Sequence, residues 1–193
     1  MSKRTVGQIK ELSGRIEEFV GAKVGAEVAA GADKAAAGGD AEVALWVKGA
    51  IDRLDKLVGS KTGQQIMAAC GHSCVAVNSG VVTRAQARRG KYPTEEAFLA
   101  AEVAKPPAGT RLELHGKVLT QCYTPHSFRR GVRCYCGLMR GLPAAVTISA
   151  TYCHCSRGFV EKYWEAVLGR PARVELGRTA ISGADECQFV IHL

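Results

Sequence analysis

Apolar residues in the first sixty positions recur every three or four residues, which is the period of a helix with one buried face. Val6, Ile9, Leu12, Ile16 and Phe19 form one such stripe, and Val43, Val47, Leu54 and Leu57 form another with Trp46 beside it. The second stripe predicts a helix over 41–58, stopped at Gly59. Between the two, residues 25–40 are rich in Ala and Gly and predict a break or loop. Ser60 is placed to cap a third helix carrying Ile66, Met67 and Cys70, and 75–87 continues in a helical pattern. Thr94 is placed to cap a further helix that ends near Lys105, because Pro106-Pro107 disfavours helix in the residue before it.

Beyond the two prolines the period changes. Residues 111–113 and 117–123 read as short strands, and 124–133 as a basic loop. Residues 146–152 read as a strand or as the approach to a helix over 157–168, with Phe159, Tyr163, Trp164 and Val167 facing inward. Residues 172–181 and 186–193 read as two strands joined by the turn sequence Ser182-Gly183-Ala184-Asp185. The expected class is therefore α+β: N-terminal helices, then a small antiparallel sheet packed against helices. The expected division is a helical region over 1–105 and a cysteine-rich α+β region over 106–193, forming one compact unit.

Composition narrows the picture. The chain has 193 residues, 47% of them hydrophobic and 23% charged, with a formal charge of +8. These values exclude a disordered chain. The start of the sequence does not read as a secretory signal, and no run approaches the roughly 18 apolar residues that span a bilayer. The expectation is a cytoplasmic protein with no membrane partner. Its basic residues cluster at Arg84, Arg88, Arg89, Lys91 and at Arg129, Arg130, Arg133, Arg140. With few aromatics and no DNA-binding helix pair, nucleic acid is not the expected partner, and a solvated basic surface is.

The unusual feature is cysteine: eight residues, six of them after position 120. In a reducing compartment these are thiols or metal ligands rather than disulfides. Cys70 and Cys74 lie four apart, on one face if their helix continues, and make a candidate metal or thiol site. Cys70-x-x-x-Cys74 begins like a radical-enzyme cluster motif, with Val77 where a third cysteine would stand. Cys134-Tyr-Cys136 and Cys153-His-Cys155 are tight pairs whose soft ligands suit zinc, an iron–sulfur cluster or Cu(I). For catalysis a cysteine needs a base, and His72 and His154 are the ones near in sequence. Cys122 reads as a plain core residue.

The C-terminal third, through Cys153, the following helix, Gly169-Arg170-Pro171 and the tail Gly183-x-x-x-Cys187-x-Phe189, resembles the vinyl-4-reductase domain over about 40 residues. That family occurs in bacteriochlorophyll biosynthesis proteins and in aromatic-sensing regulators. The tail is also similar to aminothiazoline-carboxylate hydrolase-like proteins, and Cys-Gly-His-Ser-Cys at 70–74 to a cysteine-rich prokaryotic family of unknown function.

The vinyl-4-reductase resemblance implies a pocket for an apolar or aromatic molecule, for which Tyr152, Phe159, Tyr163 and Trp164 are candidates. It also implies zinc, held in sensor members by a cysteine before the helix, a Glu and a Cys on the penultimate strand, and the tail cysteine. Here the first and last fall on Cys153 and Cys187, and the middle two on Leu176 and Thr179, which do not replace them. Cys155, Cys134 and Cys136 are the candidate substitutes, with Arg129, Arg130, Arg133 and Arg157 offsetting the charge. The function this implies is a sensor-like, metal-binding and small-molecule-binding protein, dimerising through its N-terminal helices. The alternative is a cysteine hydrolase or an iron–sulfur or dithiol redox enzyme.

Overall fold

A computed structural model describes residues 3–125 and 133–193. The first helix, α1 (Lys3–Val28), buries Ile9, Leu12 and Ile16 as the stripe requires, but leaves Phe19 exposed. At Gly21 the backbone takes φ 78° and ψ 164°, a left-handed conformation open to glycine, and the helix folds back on itself. A Cβ on Gly25 would stand only 2.9 Å from the Glu17 Cα, so the two arms lie against each other.

The expected loop over 25–40 holds a short helix, α2 (Ala32–Ala37), entered through Gly31 and left through the extended Gly38 and Gly39. Helix α3 (Asp40–Val58) follows and buries Val43, Val47, Ile51 and Leu54, while Leu57 is exposed. Trp46 is anchored by its Nε1, which donates to the Ala30 carbonyl at 3.1 Å.

Gly59 separates α3 from α4 (Ser60–Val77), and Ser60 is the first residue inside α4 rather than a side-chain cap. The expected continuation over 75–87 is broken at Asn78, whose Nδ2 donates to the Cys74 carbonyl at 2.7 Å. Helix α5 (Ser79–Arg89) leaves at 73° to α4. Among the described residues no single helix is long and apolar enough to cross a membrane; the bent pair α4 and α5 meets that test jointly. Thr94 caps α6 (Glu95–Ala104) as expected, its hydroxyl accepting from the Ala97 amide at 3.1 Å.

The sheet is β1 (Thr110–His115), β2 (Val118–Tyr123), β3 (Arg173–Leu176) and β4 (Cys187–His192), in the order β1-β2-β4-β3 and antiparallel throughout. The chain is thus α+β, N-terminal helices followed by a sheet packed on helices. Leu119, Cys187, Phe189, Ile191 and Val174 are buried on the side facing α7 (His154–Leu168), where Trp164 Nε1 donates to Gln121 Oε1 at 2.9 Å. Strand β3 is shorter than the pattern predicted. Gly177 N and Arg178 O both bond to Gln188, so two residues face one and the chain turns out of the ladder. Residues 146–149 form no strand; they lead into a 3-10 turn at Ala150–Cys153 that opens directly into α7.

Two cores result. One gathers α1, α3, α4 and the segments around Leu138, Tyr152 and Ile181; the other gathers the sheet, α5, α6 and the C-terminal half of α7. Each draws on residues from both sides of the 105/106 boundary. Helices α4 and α7 run through the middle, and two glycines set their separation. A Cβ on Gly71 would lie 2.0 Å from the Cys155 carbonyl oxygen, and one on Gly158 would lie 2.3 Å from the Ala68 carbonyl oxygen.

Gly71→Ala and Gly158→Ala should therefore each destabilise the protein by about 3 kcal/mol, since backbone cannot yield as a flexible side chain can. Gly14→Ala, at a helical site with nothing within 4 Å, should instead stabilise by roughly 0.5–1 kcal/mol. Chemical denaturation of the three variants tests this, and a neutral Gly71→Ala would disprove the close crossing.

Candidate functional site: a thiol-lined cavity

The close crossing of α4 and α7 brings Cys70 and Cys74 on one helix beside Cys155 on the other. The turn at Gly137–Met139 adds Cys136 from below, and the N-terminal arm of α1 covers the top. Between them lies a cavity of ≈ 330 Å³ walled by these four cysteines and by Leu12, Met67, Val77, Leu138 and Tyr152. A depression of ≈ 350 Å³ bounded wholly by α1 residues is an open surface groove and holds no cysteine.

The cysteines do not stop at the cavity wall. Cys155 feels Cys136, Cys70, Cys74 and Cys134 electrostatically; Cys134 in turn feels Cys136, Cys153 and Cys187. Seven of the eight thiols thus form one array from the cavity to the start of β4. All eight are free. Cys122 stands apart, buried on the other face of β2 near Arg111 and Glu186.

Among the described residues few N–H groups reach these sulfurs. Asn78 Nδ2 donates to Cys74 Sγ at 3.3 Å, and Gln8 Nε2 to Cys136 Sγ at 3.9 Å. The Cys136 amide donates to Cys134 Sγ and the Ala180 amide to Cys187 Sγ, each at 3.4 Å. Burial dominates and pushes the thiols up: Cys70 to about 12, Cys153 to about 11, Cys134 and Cys155 well above the ordinary range. In the absence of a ligand the array is neutral at physiological pH, and none of its members is an activated nucleophile.

The histidines do not change that. His72 Nε2 lies 3.4 Å from Glu161 Oε2, and His154 Nδ1 accepts from Arg157 Nε at 3.2 Å. What acts on Cys74 and Cys155 is burial, other thiols, Arg4 and Asn78, not an imidazole. The pairings of Cys74 with His72 and of Cys155 with His154 therefore do not form.

The sequence-derived metal set divides. Cys153, Cys187 and Cys134 gather near Tyr123 and Thr179, whereas Cys136 and Cys155 join Cys70 and Cys74. Glu175, one position from the implied ligand, points to the outer face, where it meets Arg173 and His192. Among the described residues no three Cys, His, Asp or Glu side chains converge closely enough, as they stand, to hold an ion.

The arginines expected to offset thiolate charge are engaged elsewhere. Arg133 donates to the Pro143 and Val146 carbonyls, and Arg157 pairs with Glu161. Arg129, Arg130 and His126 lie outside the described residues. Of the other basic cluster, Arg88 forms a two-bond pair with the buried Glu102 at 2.7 and 2.9 Å, and Arg89 bonds the Tyr92 carbonyl. These are internal ties between α5 and the segment around α6.

Of the aromatic pocket candidates, Tyr152 alone lines the cavity, its hydroxyl bonded to Cys136. Trp164 and Tyr163 pack edge to face at 5.4 Å in the other core, and Phe159 sits at the helix crossing beside Gly71. Sequence reasoning missed the α1 residues Arg4, Gln8 and Glu11 that rim the cavity. Their i, i+4 and i, i+7 spacing on a predicted helix was visible; what that face would cover was not.

No family model and no curated protein matches the chain. Among solved structures, the chain is similar to an H-NOX protein from S. oneidensis in its Fe(II)NO ligation state, with 13% identity over 100% of this chain and 99% of that one and a TM-score of 0.47.

The raised thiols predict an alkaline weakness. Between the ordinary thiol value of 9.0 and about 11, the unfolded chain loses the Cys153 proton while the native protein keeps it. The native state binds more protons there, so stability falls as pH rises through this window and is unaffected by this group below it. Denaturation midpoints at about pH 8 and about pH 10.5 should show the drop, and Cys153→Ala should shrink it. A drop of unchanged size in the variant would assign it to other groups.

Proposed function

We propose that this chain is a small-molecule-binding protein of the sensor type, whose ligand occupies the cavity between α1, α4 and the start of α7. The observation that carries the reading is the cavity itself. It is ≈ 330 Å³, walled mainly by apolar and sulfur-bearing side chains and covered by one helical arm. That size and lining suit a compact apolar or aromatic molecule. The vinyl-4-reductase resemblance points to the same class of ligand. Phe19 on α1 and Leu45 and Leu57 on α3 are exposed apolar residues, which supports pairing of two copies through the N-terminal helices.

Gly7 offers a direct test, since it rims the cavity, sits in a helix and has open space around it. The uncharged probe N-phenyl-1-naphthylamine should bind the native protein saturably with a fluorescence rise. Gly7→Leu should weaken that binding about tenfold or more while leaving stability intact, because the new side chain fills the mouth. Equal binding by the two proteins would place the ligand elsewhere.

A second reading rests on the four thiols that share this wall. A soft metal is its cofactor, with zinc first and an iron–sulfur cluster as the alternative; the ion would have to draw Cys70, Cys74, Cys136 and Cys155 together. Metal analysis and an absorption spectrum after anaerobic purification decide it. A stoichiometric metal that falls in Cys136→Ser and Cys155→Ser is the result expected. Stable, metal-free protein ends the reading. The hydrolase alternative has less support, because neither His72 nor His154 is presented to a cysteine.

A further inference from the structure

The rim of the cavity has a polarity that its walls do not. On α1, Arg4 and Gln8 stand one turn apart on the same face, and both line the cavity. Arg4 is exposed, and its NH2 donates to the neutral Asn78 Oδ1 at 3.1 Å. Among the described residues no carboxylate pairs with it, although the chain forms many such pairs elsewhere. Glu11, the acid on the same rim, is committed: its Oε1 receives Arg15 Nε at 2.9 Å, and Arg15 also reaches Glu18 and Ser73. Gln8 has spare donor capacity as well: among the described residues its amide reaches only the Cys136 sulfur at 3.9 Å, a weak acceptor at long range.

From this geometry we infer that the ligand is an amphipathic carboxylate, with its apolar body in the cavity and its carboxylate on the Arg4 guanidinium and the Gln8 amide. The inference rests on the cavity reading above and names the ligand class for it. A planar guanidinium presents two parallel N–H groups that match the two oxygens of a carboxylate. Among the described residues the cavity interior has no cation to receive an acid group, and burying a carboxylate there unpaired would be costly. The head group therefore belongs at the mouth, where water and Arg4 meet it. The body extends past Leu12 and Met67 toward the sulfurs of Cys70, Cys136 and Cys155.

Calorimetric titration of the whole chain with decanoate and with 1-decanol tests this, because the two share a tail and differ in the head. Decanoate should bind about tenfold or more tightly than 1-decanol, the range of a hydrogen bond to a charged group. Arg4→Gln should remove that advantage and leave the alcohol unchanged, whereas Lys3→Gln, which alters the charge of an exposed neighbour, should preserve it. Equal affinity for acid and alcohol in the native protein overturns the carboxylate assignment and leaves the cavity reading standing. So does an equal loss from Arg4→Gln and Lys3→Gln. Failure of both ligands to bind overturns the cavity reading and the carboxylate assignment with it.

Discussion

Helices α4 and α7 approach until backbone meets backbone, and the rest of the molecule is arranged around that contact. At Gly71 and Gly158 the carbonyl of one helix occupies the space in which the other would carry a side chain. Close approach on this scale needs a residue without Cβ on each side. Its consequence is that Cys70 and Cys74, on the turns flanking Gly71, come level with Cys155. The same contact orients the C-terminal half of α7 beneath the sheet, where Trp164 reaches Gln121. A helix pair held further apart would separate both the cavity wall and the two cores.

Desolvation governs the chemistry of the site that this crossing creates. Seven thiols share a buried region in which few N–H groups reach a sulfur, so the ionised form is disfavoured at each one and each further thiolate would oppose its neighbours. The site is chemically quiet until something supplies positive charge or polar contact. Charged residues elsewhere reinforce this separation. Arg88 and Glu102 tie α5 to α6, Arg170 and Glu95 tie the end of α7 to α6, and Arg111 and Arg178 both meet Glu186 beside the sheet. A chain of charge +8 thus spends most of its described arginines on internal ties, and the exposed guanidinium of Arg4 at the cavity mouth, which meets Asn78 but no described carboxylate, is an exception with a position suited to a ligand.

Much of the local structure was legible along the chain because it is decided locally. Period fixes α3, α7 and the strands; proline and glycine fix the stops; the Thr94 hydroxyl fixes one cap. The departures have local physical causes that sequence pattern does not resolve. Gly21 reads as one more glycine in a helix, yet its left-handed backbone doubles α1 back on itself. The bulge at Gly177 and Arg178 shortens β3 by turning the chain out of register. Phe19 and Leu57 obey the helical period and still face outward, each at the end of its stripe.

The α+β class follows from periodicity and composition along the chain, because helix and strand periods are set by near neighbours. Tertiary structure alone decided which cysteines meet. Pairs adjacent in sequence part company: Cys134 and Cys153 look toward Cys187, whereas Cys136 and Cys155 look toward Cys70 and Cys74. The physical reason lies in long-range contact. A Cys-x-Cys spacing says that two sulfurs are near, but a helix crossing set by glycines nearly ninety positions apart chooses their other neighbours. The same holds for Arg4 and Gln8, ordinary surface residues on a helical wheel until the fold lays them over a cavity.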